Sequence, residues 1–249
     1  MPEHYSRIFL LSHMRAFTSL AGHILGSHPR INGYFEMHIS YDDASALDRQ
    51  LGIFRQYETP KENSHYLFDK LLHNDYRLRP ERLGPAGIRI LVSLLEPVQA
   101  IKSIVSLFEK KDPEDLYASP AGAANYYIDR VSMLAGFCQS TSQPYYYYDA
   151  ELFQAAPERL LGMLADWLEL DSPLSERYQL FSQTGKAGKG DSSRFILGGK
   201  IEKTKVDYSH IRLPADALRR AHEAYGDCRS AILANAADSV VIPVDRLPD

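Results

Sequence analysis

The apolar residues of this chain fall into short uninterrupted runs, separated by longer stretches of mixed character. Four runs are predicted to be strands, at residues 7–12, 65–69, 88–94 and 145–148, because each is short and rich in β-branched, leucine or aromatic side chains. Runs without polar alternation are typical of strands that are buried on both faces of a parallel sheet. Residues 34–37 are predicted to form a further short strand or extended segment.

Between the runs, apolar residues recur three or four positions apart, which is the spacing of a helix that buries one face. The first such helix is expected to have Thr18 or Ser19 as its cap and to end before Pro29. Strands that alternate with helices predict an α/β fold of three layers, with a mainly parallel sheet flanked by helices. The other predicted helices lie around residues 47–54, from Pro97, over residues 121–138, from Pro157 and from Pro214.

The composition fits one soluble domain over residues 1–249. Of the 249 residues, 45% are hydrophobic and 24% are charged, and the formal net charge is −4. Because the chain has no overall positive field, we expect no nucleic-acid partner. Cys138 and Cys228 stand outside any CxxC or Cys/His cluster, so no metal site is expected. No apolar run approaches the ~20 residues of a transmembrane helix, and the N-terminus lacks a signal peptide, which predicts a cytoplasmic protein.

A polar loop joins the first predicted strand to the first helix and has the chemistry of an anion site. In a parallel α/β sheet, ligands bind beyond the carboxyl ends of the strands, where this loop lies. Arg15 can donate two hydrogen bonds to a phosphate or sulfate, Thr18 and Ser19 add hydroxyls, and a helix N-terminus favours negative charge. No Gly-x-x-x-x-Gly-Lys-Ser/Thr string occurs, so the loop is not a Walker A motif. The alternative is an ordinary strand-to-helix turn in which Thr18 only caps the helix.

Further polar residues follow along the chain. Glu36 and His38 would point to the same side of an extended segment, and either could act as a general base. Lys70 follows the strand at residues 65–69, and Ser103 lies in the helix that Pro97 begins. Residues 183–203 are rich in Gly, Lys and Ser, and such long loops within compact domains are usually functional or disordered.

In this order, the segments resemble those of sulfotransferases of the bacterial type that use 3′-phosphoadenosine 5′-phosphosulfate (PAPS). The resemblance implies a P-loop-NTPase-like sulfotransferase fold. It also implies transfer of a sulfuryl group from PAPS to a hydroxyl or amine of a carbohydrate, a lipid or another small molecule. The similar pieces are the Arg-Ala-Phe-Thr-Ser string at 15–19, Ser-His-Pro at 27–29, Glu36, Asp-Lys at 69–70, Pro97 with Ser103, the acidic-Leu step at 148–152 and the Gly/Lys-rich loop at 184–191.

The resemblance assigns roles to these residues. The catalytic residues would be Arg15, Glu36, His38 and Lys70, with Glu36 the preferred base and His38 the alternative. The nucleotide donor would be bound at its phosphosulfate end by the loop and at its 3′-phosphate end by the later segments. The implied donor-binding residues are Arg15, Ala16, Phe17, Thr18, Ser19, Ser103, Lys186, Lys189 and Gly190.

Two positions depart from the pattern of that family. Leu95 stands where an Arg usually precedes the Pro and binds the 3′-phosphate, and Phe17 stands where a Gly is usual. These departures keep two alternatives open: another nucleotide-dependent transferase or kinase, and a catalytically inactive nucleotide-binding relative. The sequence leaves the acceptor open, and also the oligomeric state, a homodimer included.

Overall fold

The computed structural model describes residues 5–186, 194–203 and 206–242. Within these residues the strands form a six-stranded sheet in the order β2-β3-β1-β4-β5-β6, and every neighbouring pair is parallel. The strands are β1 (Ser6–Leu11), β2 (Ile31–Asn32), β3 (Tyr66–Leu71), β4 (Ile88–Leu94), β5 (Tyr145–Asp149) and β6 (Asp238–Val240). The helices are α1 (Thr18–Ser27), α2 (Ser45–Arg55), α3 (Pro97–Lys111), α4 (Pro120–Ser140), α5 (Leu152–Ala155), α6 (Pro157–Trp167) and α7 (Ala215–Asn235).

The sheet separates two apolar cores, because side chains alternate between its faces along each strand. In β1, Phe9 and Leu11 belong to the core on one face, while Ile8 and Leu10 belong to the core on the other. Residues of α3, α4 and α7 fill the first core, and residues of α1 and α6 fill the second. The predicted three-layer α/β fold with a parallel sheet is therefore confirmed.

The run of tyrosines forms β5, as predicted, and contributes to both cores. Tyr145 and Tyr147 lie in the first core, Tyr146 and Tyr148 lie in the second, and all four are at most 1% exposed. Burying a hydroxyl is costly unless it has a partner. The Tyr147 hydroxyl donates to Asp149 Oδ1 at 2.7 Å, and the Tyr145 hydroxyl donates to the Ile232 carbonyl at 2.6 Å. The burial of all four side chains places the tyrosine strand in the framework rather than at a binding surface.

The strand or extended segment expected at residues 34–37 is not a strand of the sheet. The chain pairs with β3 just before the predicted range, through Ile31 and Asn32. Gly33 then adopts a φ of 86°, and a side chain there would come within 2.5 Å of the Phe68 carbonyl oxygen. The glycine thus turns the chain away from the sheet over the end of β3, and the following residues become a loop.

The start of α1 also differs from the prediction, because neither Thr18 nor Ser19 is its cap. The helix begins at Thr18 itself, and the cap position is occupied by Phe17, whose backbone is left-handed and whose side chain makes no capping bond. A capping side chain must lie outside the first turn. Both hydroxyl residues lie within it.

Two further findings bear on the sequence predictions. The strand β6 was not predicted, since only Val240 among its three residues is buried. Within the predicted long loop, residues Arg194–Gly198 form a 3₁₀ helix. Among the described residues, no helix combines the length and apolar character needed to cross a membrane.

Candidate active site

The loop of residues 12–17 lies at the carboxyl ends of the central strands and has a strained backbone. Arg15 and Phe17 have φ angles of 67° and 55°, although neither is a glycine. Each such residue costs roughly 1–3 kcal/mol and persists only where the surroundings impose it, which is common at ligand sites. Turns of this kind direct backbone N–H groups toward a concave surface, and the N-terminus of α1 adds its own partial positive charge.

Arg15 reaches across this loop to α3. Its Nε donates to Ser103 Oγ at 2.9 Å, and the Tyr208 hydroxyl donates to the same oxygen at 3.0 Å. Two residues that the sequence assigned to opposite ends of one nucleotide therefore meet at a single point. Ser103 is only 7% exposed, so its position is fixed by packing of α3 against the sheet.

Lys70 lies on the other side of the same loop. Its side chain is 1% exposed, and its Nζ donates to Ser19 Oγ, in the first turn of α1, at 2.8 Å. The neighbouring Asp69 carboxylate accepts instead from Tyr41 and from the backbone N–H of Met37. An ammonium close to a helix N-terminus concentrates positive charge in one place, which suits an anion.

Glu36 is placed by the loop that follows Gly33 and is 3% exposed. Among the described residues, its Oε1 has no hydrogen-bond partner. His38 Nδ1 lies 3.7 Å from that oxygen, and His38 is itself left-handed, with a φ of 55°. A buried carboxylate oxygen without a donor is costly, and an acceptor hydroxyl or amine could supply the missing hydrogen bond.

Comparison with solved structures finds 17 similar chains, among them two sulfotransferase domains. The sulfotransferase domain from the curacin biosynthetic pathway matches with a TM-score of 0.64 and 16% identity, covering 90% of this chain and 98% of that domain. The chain has the sulfotransferase fold. The sulfotransferase domain from the Synechococcus PCC 7002 olefin synthase matches with a TM-score of 0.56 and 16% identity, covering 89% of this chain and 96% of that domain. The sequence itself matches no protein family and no curated protein.

On this sulfotransferase fold, the histidine of the first loop has a structural role. His13 Nδ1 donates to the Met14 carbonyl at 2.9 Å, and its Nε2 accepts from the Leu95 N–H at 3.0 Å. Burial lowers the pKa of His13 to about 4, so the ring is neutral near pH 7. Its two partners fix the tautomer, and His13 joins the ends of β1 and β4.

Leu95, which replaces the arginine of the family pattern, is part of the apolar core. The side chain of Leu95 is fully buried in the first core, and its carbonyl accepts from the Tyr127 hydroxyl at 2.7 Å. Leu95 therefore cannot present a polar group to an anion. On α3, the polar residue that the sequence analysis assigns to the 3′-phosphate is Ser103. Its hydroxyl contacts the side chains of Arg15 and Tyr208.

The glycine- and lysine-rich loop is only partly described. Lys186 is exposed, while Lys189 and Gly190 lie outside the described residues. The start of the loop is attached to α1, because the hydroxyl of Thr184 pairs with His23 Nε2 at 2.9 Å. The proposed roles of these lysines stay predictions.

A cleft elsewhere in the described part of the chain is distinct from this site. It has a volume of about 330 Å³ and lies at the opposite end of α1, lined by His28, Leu174 and Tyr178 among others. We assign the chemistry to the loop at the strand ends, because the buried charges and the carboxylate lie there and the cleft contains none of them.

Sequence reasoning missed Arg130, Tyr126 and Tyr208. Arg130 and Tyr126 lie on α4, whose apolar spacing predicted only a core helix, and both side chains donate to the carboxyl end of β3 or the residue after it. Tyr208 follows the long loop in a stretch without apolar period. The available signal was weak, because two charged residues, Asp129 and Arg130, lie between the inward positions Ile128 and Val131, and only Arg130 is buried.

Proposed function

We propose that the protein is a sulfotransferase that moves a sulfuryl group from PAPS to a hydroxyl or amine of a small acceptor. The observation that carries the proposal is the convergence of Arg15, Lys70 and the N-terminus of α1 on one loop, with the orphan carboxylate oxygen of Glu36 in the same region. Cationic groups that face a developing negative charge, together with one base, are what transfer of an anionic group requires.

The residues of the loop would bind the donor at its phosphosulfate. When bound, PAPS supplies an activated sulfuryl group with a nucleotide phosphate as leaving group. Thr18, Ser19 and the backbone of the loop would hold the 5′-phosphate, while Arg15 and Lys70 would balance charge on the bridging oxygen and the departing phosphate. Ser103 would contact the 3′-phosphate, with the Lys186 and Lys189 loop closing over the nucleotide.

Glu36 would accept the proton of the acceptor. As the acceptor oxygen or nitrogen forms its bond to sulfur, its proton passes to Glu36 Oε1. The bond between sulfur and the bridging oxygen breaks, with the electron pair remaining on the nucleotide phosphate. His38, 3.7 Å away, is the alternative base or the group that carries the proton onward to water.

The first test is donor binding. Calorimetry should show that adenosine 3′,5′-bisphosphate (PAP) binds more tightly than AMP. Arg15→Ala should weaken PAP binding by about 10-fold or more, because a charge-assisted hydrogen bond contributes roughly 1.5–3 kcal/mol. Arg89→Ala is the matched control, since Arg89 pairs with Glu169 on the surface. Absence of PAP binding to the wild type would end the proposal.

The second test is turnover. Glu36→Gln keeps the size of the side chain and removes the base, so PAP should bind as before while transfer falls by about 10²–10⁴-fold. Wild-type transfer in Glu36→Gln would move the base to His38. Equal binding of PAP and AMP, with magnesium-dependent turnover of ATP, would instead favour a kinase or another nucleotide-dependent transferase, the class that the buried Leu95 keeps open.

A further inference from the structure

One face of α4 is hydrogen-bonded to the strand ends that carry the site. The Tyr126 hydroxyl donates to the Leu72 carbonyl at 2.7 Å and accepts from the Met14 N–H at 2.8 Å. These contacts join the segment after β3 to the loop after β1. The helix therefore does more than fill the core, because it joins the loop that holds Arg15 to the segment directly after β3, the strand that holds Lys70.

Arg130, one turn further along α4, makes the larger share of these contacts. It is 2% exposed and donates from Nε to the Ser12 carbonyl at 2.8 Å and from Nη2 to the Leu71 carbonyl at 2.5 Å. Its Nη1 donates to Asn74 Oδ1 at 3.1 Å and to the His73 carbonyl at 3.3 Å. One guanidinium thus holds the first residue after β1, the last residue of β3 and the loop after β3.

The charge of Arg130 is not cancelled by direct contact. A buried cation is normally paired with a carboxylate, because burial without a partner is costly. Within the described residues, no carboxylate forms an ion pair with Arg130, and its hydrogen-bonded oxygens are neutral. Burial lowers its pKa, and the carboxylate that acts on it through space is Glu36.

We infer that Arg130 is a positioning residue of the transfer site, because it fixes the end of β3, which carries Lys70, against the start of the loop that carries Arg15. The inference rests on the proposed function. It assigns to α4 a part in the reaction, although no atom of Arg130 need touch donor or acceptor.

The test compares Arg130→Met and Arg130→Lys. Transfer is followed as PAP released from PAPS, with the best acceptor from a screen of phenols, alkyl alcohols and amino sugars. Arg130→Met should lower kcat by about 10²-fold through misplacement of the reacting groups, while the KM of the acceptor changes much less than kcat. Arg130→Lys keeps the charge but lacks the several N–H donors of the guanidinium, so kcat should stay low in that variant as well.

Arg7→Met is the matched control. Arg7 is also buried, and its guanidinium donates to the carbonyls of Tyr5 and Leu47 at the amino end of β1, away from the site. It should lose stability while the kcat of the folded protein stays at the wild-type level. Each variant is first checked for PAP binding by calorimetry.

The outcomes separate the two claims. A wild type that does not bind PAP overturns the proposed function, and the inference falls with it. A wild type that binds and transfers, together with an unchanged kcat in Arg130→Met, overturns the inference alone. If Arg130→Met does not fold, Arg130→Lys decides the positioning role, and wild-type kcat in that variant would refute it.

Discussion

A single methyl group on α1 tests whether the close approach of that helix holds Glu36 in place. At Gly22, an added Cβ would lie 2.3 Å from the Tyr34 carbonyl oxygen. Glu36 and His38 lie two and four residues after Tyr34, in the segment that begins at this contact. The perturbation is therefore Gly22→Ala, with Gly52→Ala on α2 as control, because a Cβ at Gly52 would meet nothing within 4 Å.

The structure sets the size of the effect. Ordinary contact begins near 3.4 Å, so the Tyr34 backbone or the helix must move by about 1 Å. Overpacking of this kind costs roughly 1–3 kcal/mol, against a gain of about 1 kcal/mol from the helix propensity of alanine. We expect a net loss of about 1 kcal/mol, which lowers the melting temperature by about 2–4 °C for a chain of this size. Gly52→Ala should instead gain about 0.5–1 kcal/mol.

The assay combines urea unfolding with transfer kinetics. Because Glu36 moves with Tyr34, Gly22→Ala should lower kcat by up to about 10²-fold, the effect of misplacing a reacting group by 1 Å. PAP binding at the loop of residues 12–17 should change much less. If Gly22→Ala were as stable and as active as Gly52→Ala, the rigid contact between α1 and the Glu36 segment would not exist as described.

Three other predictions concern stability, pH and the donor. Arg229→Met should cost about 3–5 kcal/mol by urea unfolding, because it leaves the fully buried Asp149 carboxylate without the guanidinium that now binds both its oxygens. The pKa of His13 is lowered to about 4 from 6.5, so its stabilising contribution is complete above pH 6.5 and is lost as pH falls toward 4, on the order of 3 kcal/mol. His13→Gln should lack that acid-side loss relative to the wild type, while carboxyls of raised pKa act in the opposite sense in both proteins. Tyr208→Phe removes the hydroxyl bonded to Ser103 and should weaken PAP binding by about 5-fold in calorimetry, with AMP binding unchanged.

The central strands could be predicted from the sequence because their burial leaves a direct mark on it. A parallel strand that is covered on both faces must be apolar throughout, and the runs located β1, β3, β4 and β5 to within two residues at each end. The edge strand β6 has no apolar run, since Val240 is the one buried residue of its three. A turn glycine, Gly33, moved the pairing of β2 upstream of its predicted place.

The polar framework of the site could not be predicted in the same way. Arg130 donates to backbone carbonyl groups that lie 118 and 59 positions away in the chain. Every residue has such a carbonyl, so the sequence does not mark the ones that Arg130 binds. His13 is similar, because its bond to the Leu95 N–H spans 82 positions. Such roles depend on which strand ends meet, and therefore on the topology of the sheet rather than on local pattern.

The buried Leu95 changes what the 3′-phosphate site of this protein must be. Position 95, where the family pattern has an arginine, is a leucine whose side chain lies in the core, so no cationic side chain stands there. The guanidinium that contacts Ser103 is that of Arg15. The same arginine is proposed to serve the sulfuryl end, so one charge would be shared between both ends of the nucleotide. A dedicated charge-assisted bond contributes roughly 1.5–3 kcal/mol, or about 10- to 150-fold in affinity. The preference for PAP over AMP should therefore be smaller here than in a site with its own arginine, and the loss of Arg15 should weaken both ends together.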